Sequence, residues 1–278
     1  MKIAFIGGGN MAAALIAGLA GKLVPGANIH VVDPNAAALE KLSREHGVTV
    51  AGATGAEVAQ AEVIVLAVKP QSMREVLHQL LPQLQAAQNA GRTPLVLSIA
   101  AGIRAADLSR WLGGYGAIVR TMPNTPALIG MGVTGMVASA GVSAQQREAA
   151  DQIMKAVGGT VWLDNESLID PVTAVSGSGP AYVFYFIEAM QQAALEMGLT
   201  AEQGTQLAIA TFTGAAQLAA QSTEPVSVLR ERVTSKGGTT YAALTSMEES
   251  GVKAAIVKAL HAAAARGKEL GEQLGAAD

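Results

Sequence analysis

Near the start of the chain, the apolar run Ile3-Ala4-Phe5-Ile6 breaks into Gly7-Gly8-Gly9-Asn10-Met11-Ala12. Glycine at the first and third positions, with a small residue three further on, suits a strand–turn–helix junction that receives a pyrophosphate. Gly7 permits the tight turn, Gly9 leaves bare backbone against the phosphates, and Ala12 lets helix and strand approach closely. The helix N-terminus adds unpaired N–H donors for the anion. A glycine turn can also be purely structural, but this one follows a strand and opens a helix. A second apolar strand, Ile29–Val32, then ends in Asp33. A carboxylate there accepts both ribose hydroxyls of a dinucleotide and repels a 2′-phosphate. It can equally be the N-cap of the next helix, with Pro34 in the first turn, and the two roles are compatible.

A second stretch has the chemistry of a small-anion site. Val233-Thr234-Ser235-Lys236-Gly237-Gly238-Thr239-Thr240 runs into a helix at about Tyr241. Two glycines followed by hydroxyls at a helix start combine free backbone N–H groups, a favourable dipole end and side-chain donors. A plain N-cap by Thr239 or Thr240 is the simpler reading, but it leaves the paired glycines without a reason. A small carboxylate would fit here, and the phosphates of a dinucleotide at the first turn. Small, polar and proline residues also cluster in Val68-Lys69-Pro70-Gln71, Ser98-Ile99-Ala100-Ala101-Gly102, Arg120-Thr121-Met122-Pro123-Asn124-Thr125-Pro126 and Ser176-Gly177-Ser178-Gly179-Pro180-Ala181-Tyr182. The first three lie at strand ends, where open α/β sheets bind ligands, although each alone could be an ordinary loop.

The elements that must hold these residues follow from hydrophobic periodicity. Strands are expected at Ile3–Ile6, Ile29–Val32, Glu62–Val68, Leu95–Ile99 and Ala117–Thr121, with helices between them. That alternation predicts an α/β fold: an N-terminal Rossmann-type doubly wound sheet, mainly parallel, followed by an all-α C-terminal domain. Val133–Ala138 and Thr160–Leu163 read as later strands around a helix near Ser143–Val157, with antiparallel pairing open. Strand signals stop after Asp164. From Gly179 the sequence reads as Ala- and Leu-rich helices, broken near Gly198–Thr200, Thr223–Pro225, Ser235–Thr240 and Ser250-Gly251. The expected domains are 1–164, for a dinucleotide, and 165–278, for substrate and dimerisation.

Composition narrows the function classes. The 278 residues are 50% hydrophobic and 15% charged, which argues against disorder. A net charge of −3 without any basic run argues against a nucleic-acid partner. No cysteine is present, so thiol chemistry and cysteine metal sites are excluded. His30, His46, His78 and His261 show no ligand spacing, so no metal is expected. Neither a secretory signal nor a membrane-length apolar run is visible, and the chain reads as cytoplasmic, with no membrane partner.

Taken in order, the glycine turn, Val-Lys-Pro-Gln, Arg-Thr-Met-Pro-Asn-Thr-Pro, Ser-Gly-Ser-Gly-Pro-Ala-Tyr and Thr-Ser-Lys-Gly-Gly-Thr-Thr resemble the signature of pyrroline-5-carboxylate reductases. The resemblance spans essentially the whole chain, and its last two motifs are the most specific. It departs at Lys236, where the family usually has proline. The resemblance implies reduction of pyrroline-5-carboxylate to proline with NADPH or NADH, without a metal. It implies that Ser235 and the N–H groups of Gly237, Gly238 and Thr239 hold the carboxylate, and that Thr240 reaches the ring nitrogen. It further implies cofactor contacts from Gly7, Gly9, Asn10, Met11, Asp33, Val68, Lys69, Pro70, Ala100, Met122, Pro123 and Asn124. A homodimer through the C-terminal helices, including the Ala-rich face of Ala254–Ala265, is implied as well, with larger rings of dimers open. Two rivals share the glycine turn. A β-hydroxyacid-type dehydrogenase needs a helix lysine in a Gly-rich setting, which Lys236, Lys253, Lys258 and Lys268 do not provide. A non-enzymatic dinucleotide-sensing regulator leaves the hydroxyl-rich second site without a purpose.

Overall fold

Short aliphatic runs become strands in the computed structural model, which describes residues 1–276. In chain order the elements are β1 (Ile3–Ile6), α1 (Asn10–Leu19), β2 (Ile29–Val32), α2 (Ala36–His46), β3 (Thr49–Ala51), β4 (Val63–Leu66), α3 (Met73–Asn89), β5 (Leu95–Ser98), α4 (Ala105–Trp111), β6 (Ile118–Met122), β7 (Gly132–Ala138), α5 (Ala144–Lys155), β8 (Gly158–Trp162), α6 (Ile169–Val172), α7 (Gly179–Glu196), α8 (Ala201–Gln221), α9 (Val226–Arg232), α10 (Thr239–Glu249) and α11 (Val252–Ala276). The strands form one sheet in the order β3-β2-β1-β4-β5-β6-β7-β8. The pairs from β3 through β6 are all parallel, β7 runs antiparallel to β6, and β8 lies parallel to β7. Of the two late strands, β7 therefore makes the antiparallel pairing. The edge strand β3 was not expected; at three residues, two of them exposed, it leaves little periodic signal.

Every residue of β1, β2, β4 and β5 is buried, because helices cover both faces. Alternate side chains serve two cores. Ile3, Phe5, Val63 and Val65 pack with Leu15 and Ile16 of α1 and Ile153 of α5. Ala4, Ile6, Ile64 and Leu66 pack with Met73, Leu77 and Leu80 of α3 and Leu108 of α4. Each such leucine or isoleucine contributes roughly 1.5–3 kcal/mol through burial, so the sheet order is strongly fixed.

Two compact units emerge: Met1–Ser178 together with the end of α11 from Ala263, and Gly179–Ala262. The first unit runs past the boundary expected at Asp164 for a local reason. Gly135 of β7 leaves room for Val172 of α6: a methyl there would sit 2.6 Å from Val172 Cγ1. The end of α11 joins this unit because glycines four apart line one helical face. Gly267 faces Asp170, and Gly271 faces the Gly102 carbonyl and Arg104. The Arg110 guanidinium donates to the Gly275 carbonyl at 2.6 Å.

In the second unit, a capping box of Thr200 and Gln203 starts α8. Gln191 donates to Thr205 at 2.9 Å, and the Phe186 and Phe212 rings lie 6.5 Å apart, joining α7 to α8. Phe184, Tyr185, Leu207, Ile209 and Leu218 are exposed on these helices. Among the described residues, no helix is long and apolar enough to cross a membrane.

Candidate functional site

The sheet register brings the strand exits to one edge. Ile6 lies opposite Val32 and Leu66, Leu66 opposite Ser98, and Ser98 opposite Arg120. The candidates Gly7, Gly9, Asn10, Met11, Asp33, Val68, Lys69, Pro70, Ala100, Met122, Pro123 and Asn124 all sit in the segments leaving these strands or within a few residues of their ends. The strand order reverses between β1 and β4, the switch point where open sheets take ligands.

Gly7 has φ +106°, and a methyl there would lie 2.6 Å from the Ala67 carbonyl oxygen. The turn is thus wedged against the exit of β4 and tolerates only glycine. Gly9 is the N-cap of α1, with φ −70° and no side-chain cap, and a methyl there would meet nothing within 4 Å. Open space in front of an uncapped helix N-terminus fits a phosphate group. Ala12 is buried under the sheet, as close helix packing requires.

Asp33 is not the N-cap of α2. Asn35 takes that position and accepts from the Ala38 N–H at 3.2 Å. The Asp33 carboxylate instead accepts from the Gly8 N–H at 2.7 Å and the Asn35 N–H at 2.8 Å. It ties the glycine turn to the end of β2, with lone pairs left for further donors. Pro70 opens a 3₁₀ turn at Pro70–Ser72 after Lys69. Ser98 and Ala100 are buried, and Thr121 donates to the Ser98 carbonyl at 2.9 Å, locking the exits of β5 and β6 together. Met122 is half-buried, and Pro123 and Asn124 are buried.

In the second unit, Ser235–Thr240 forms a turn that opens α10. The Ser235 carbonyl accepts from the Gly238 N–H at 2.9 Å, and Gly237 has φ +75°. This β-turn needs glycine at its third position and accepts proline readily at its second, where Lys236 stands. It closes with lysine there. Neither Thr239 nor Thr240 is the cap: Gly238 is, without a side-chain hydrogen bond, and the threonines are the first two helical residues. Ser235, Gly237 and Thr239 are exposed and Thr240 is half-buried, so N–H groups and hydroxyls converge at one helix start. Elsewhere in this unit, Leu244, Met247, Val252, Ile256 and Val257 line an apolar groove of about 910 Å³.

Two long-range arrangements escape sequence reading. Arg120, buried in β6, pairs with Glu166 at 2.7 Å, and Glu166 also accepts from the Ala105 N–H at 2.7 Å. Asn124 bonds to the chain at Val133 and at Ser176. No local motif signals either pairing; a buried arginine in a strand demands a carboxylate without saying which one.

The chain is similar to known proteins along its whole length. Residues 2–102 match the family described as NADP oxidoreductase, coenzyme F420-dependent. Residues 166–270 match the family described as pyrroline-5-carboxylate reductase dimerisation. The chain is 48% identical over 274 residues to a pyrroline-5-carboxylate reductase of Pseudomonas aeruginosa, covering 99% of this chain and 98% of the relative. It superposes on a pyrroline-5-carboxylate reductase structure from Coxiella burnetii with a TM-score of 0.91 and 38% identity, covering 97% and 98% of the two chains. A Plasmodium falciparum pyrroline carboxylate reductase with NADP bound gives a TM-score of 0.84 at 29% identity, with 98% of both chains covered. The sheet order, the glycine turn and full-length identity well above 30% lead to one conclusion: the chain belongs to the pyrroline-5-carboxylate reductase family.

Proposed function

We propose that this chain reduces 1-pyrroline-5-carboxylate to L-proline with NADPH or NADH. The observation that carries the reading is the start of α10, where an uncapped helix N-terminus meets the hydroxyls of Ser235, Thr239 and Thr240. A cyclic imine with a carboxylate needs such a cradle. Backbone N–H groups of Gly237, Gly238 and Thr239, with the Ser235 hydroxyl, grip the carboxylate, and the Lys236 ammonium adds attraction for the anion. Thr240 hydrogen-bonds the ring nitrogen and orients it.

The open space at Gly9 and the uncapped start of α1 fit the phosphates of a dinucleotide. Gly7, Gly9, Asn10 and Met11 would hold these, Asp33 the ribose, and Val68, Lys69, Pro70, Ala100, Met122 and Pro123 the remainder. When bound, the reduced nicotinamide supplies the hydride that the imine carbon accepts. Catalysis by the chain's own residues is then mostly positioning. An imine that is already protonated needs no acid, so a threonine hydroxyl, a poor acid, suffices to orient the nitrogen, with solvent as proton source. In this reading the first unit binds the cofactor, and the second takes the substrate and dimerises. The apolar groove of α10 and α11 and the exposed Phe184 and Tyr185 support burial against a second copy. A cytoplasmic location belongs to the same reading.

The test is loss of nicotinamide absorbance on adding the imine, with NADPH and NADH assayed separately. Thr240→Ala lowers kcat/KM on the order of 100-fold, while Thr240→Ser keeps most of it. Binding of a cofactor without any imine-dependent oxidation refutes the assignment.

A further inference from the structure

Pro180 creates a local problem that Asn124 solves. In a helix each carbonyl accepts from the N–H four residues on, and for Ser176 that residue is Pro180, which has none. The chain here winds as a π turn, Thr173–Gly177, closed by the Ser178 N–H on the Thr173 carbonyl at 2.8 Å. The Ser176 carbonyl takes its hydrogen from Asn124 Nδ2 at 3.1 Å. Asn124 Oδ1 meanwhile accepts from the Val133 N–H, the second residue of β7, at 2.9 Å. Donor on one side and acceptor on the other fix the amide's orientation. Asn124 is only 9% exposed. Beside it, a methyl added at Gly177 would lie 2.5 Å from Met122 Cε, so the π turn also rests on the side chain of Met122.

We infer that Asn124 is a positioning residue: it supplies the donor Pro180 lacks, and so pins the π turn that leads into α7 against the Met122–Pro123 segment at the end of β6. Its amide already has a protein partner on each side, which sets it apart from the cofactor contact that family resemblance implies. The short π segment belongs to the same device.

The test is Asn124→Asp, alone and with Pro180→Ala, which restores an N–H four residues after Ser176. The aspartate keeps the acceptor for Val133 and removes the donor for Ser176. In the unliganded protein, amide exchange at Ser178 quickens about tenfold or more in the single variant, while Val133 stays protected. The double variant returns Ser178 to within about threefold of the parent. This arm is independent of the reductase reading. The kinetic arm rests on it: kcat/KM for the imine falls about tenfold, NADPH affinity changes less than about threefold, and the double variant recovers most of the loss. Unchanged Ser178 exchange overturns the proposal. So does a loss of NADPH affinity equal to the loss of kcat/KM, which marks a direct cofactor contact. Effects of the two substitutions that simply multiply overturn it as well. Should Asn124→Asp not fold, Asn124→Ala with and without Pro180→Ala gives the same cycle.

Discussion

Gly7 and Gly9 stand two residues apart in one turn, and alanine should separate their roles. At Gly7, φ is +106°, and the added methyl would press on the Ala67 carbonyl oxygen and carbon at 2.6 and 2.7 Å. Both are backbone atoms at the exit of β4, where the Ala67 N–H donates to the Ile6 carbonyl at 2.8 Å, so they have little freedom to retreat. Backbone strain of about 1–3 kcal/mol and overpacking of about 1–3 kcal/mol give Gly7→Ala a loss of roughly 2–6 kcal/mol. For a chain of this length that lowers Tm by roughly 3–10 °C. At Gly9, φ is −70° and nothing lies within 4 Å of the added methyl. Gly9→Ala should therefore cost less than about 1 kcal/mol of stability, the difference between glycine and alanine at an N-cap. The same methyl occupies the space offered to the phosphates. Losing one charge-assisted hydrogen bond, about 1.5–3 kcal/mol, weakens NADPH binding roughly 10- to 100-fold. Thermal melts followed by circular dichroism and fluorescence titration with NADPH measure both effects. A Gly9→Ala protein that binds like the parent means that the phosphates lie elsewhere. A Gly7→Ala protein with the parental Tm means that the contact with Ala67 relaxes freely, and the wedge argument fails.

The buried ion pair gives an asymmetric prediction. Arg120 is 5% exposed and Glu166 32% exposed, so Glu166→Ala strands a buried guanidinium and costs about 3–5 kcal/mol in urea unfolding. Arg120→Met leaves a carboxylate that can turn to water and costs distinctly less; equal losses would contradict this. His30 sets a pH dependence. Burial holds its imidazole below 6.5, with Glu57 opposing more weakly. As pH falls below 6.5, the unfolded chain binds a proton that the folded chain resists, so stability should decline by up to about 1.4 kcal/mol per pH unit until the folded value is reached. Chemical denaturation between pH 7 and 5, compared with His30→Gln, isolates this slope, and an identical slope in the variant would assign it to other groups.

The parallel sheet was legible because each buried strand is a near-continuous aliphatic run and each intervening helix carries a regular apolar stripe. Local competition decided what spacing alone leaves open. Asp33, ahead of a proline, looks like an N-cap, but its carboxylate binds Gly8 and Asn35 while Asn35 does the capping. Thr239 and Thr240 look like caps, yet Gly238 reaches that position because the preceding turn closes on Ser235. The strand signal ends near Asp164, but the first unit continues through Ser178 because α6 packs on β6 and β7 and the π turn lies beside Met122. That continuation rests on contacts such as Arg120 with Glu166 and Asn124 with Ser176, 46 and 52 residues apart, and spacing along a chain carries no trace of them.

The candidate site was legible for a different reason, which concerns its chemistry. An imine reduction asks for placement of two reactants rather than for a strong acid or base, and the groups proposed to place them are mostly glycines, hydroxyls and backbone N–H groups. Such groups leave a motif in the sequence. The groups with displaced affinities belong to the scaffold. Burial pushes the Tyr115 phenol up to about 12, and its hydroxyl donates to the Pro94 carbonyl. Burial would raise the Asp151 carboxyl, but hydrogen bonds from Lys155, Thr160 and Trp162 outweigh it and hold the group below its usual value, strapping α5 to β8. His30 lies near the start of β2, at the amino end of the strands. On the proposed reading, in which a carboxylate and a dinucleotide are held in place, the turn glycines are the more informative signal: Gly7 and Gly237 take positive φ, and Gly9 and Gly238 start two helices without a side-chain cap.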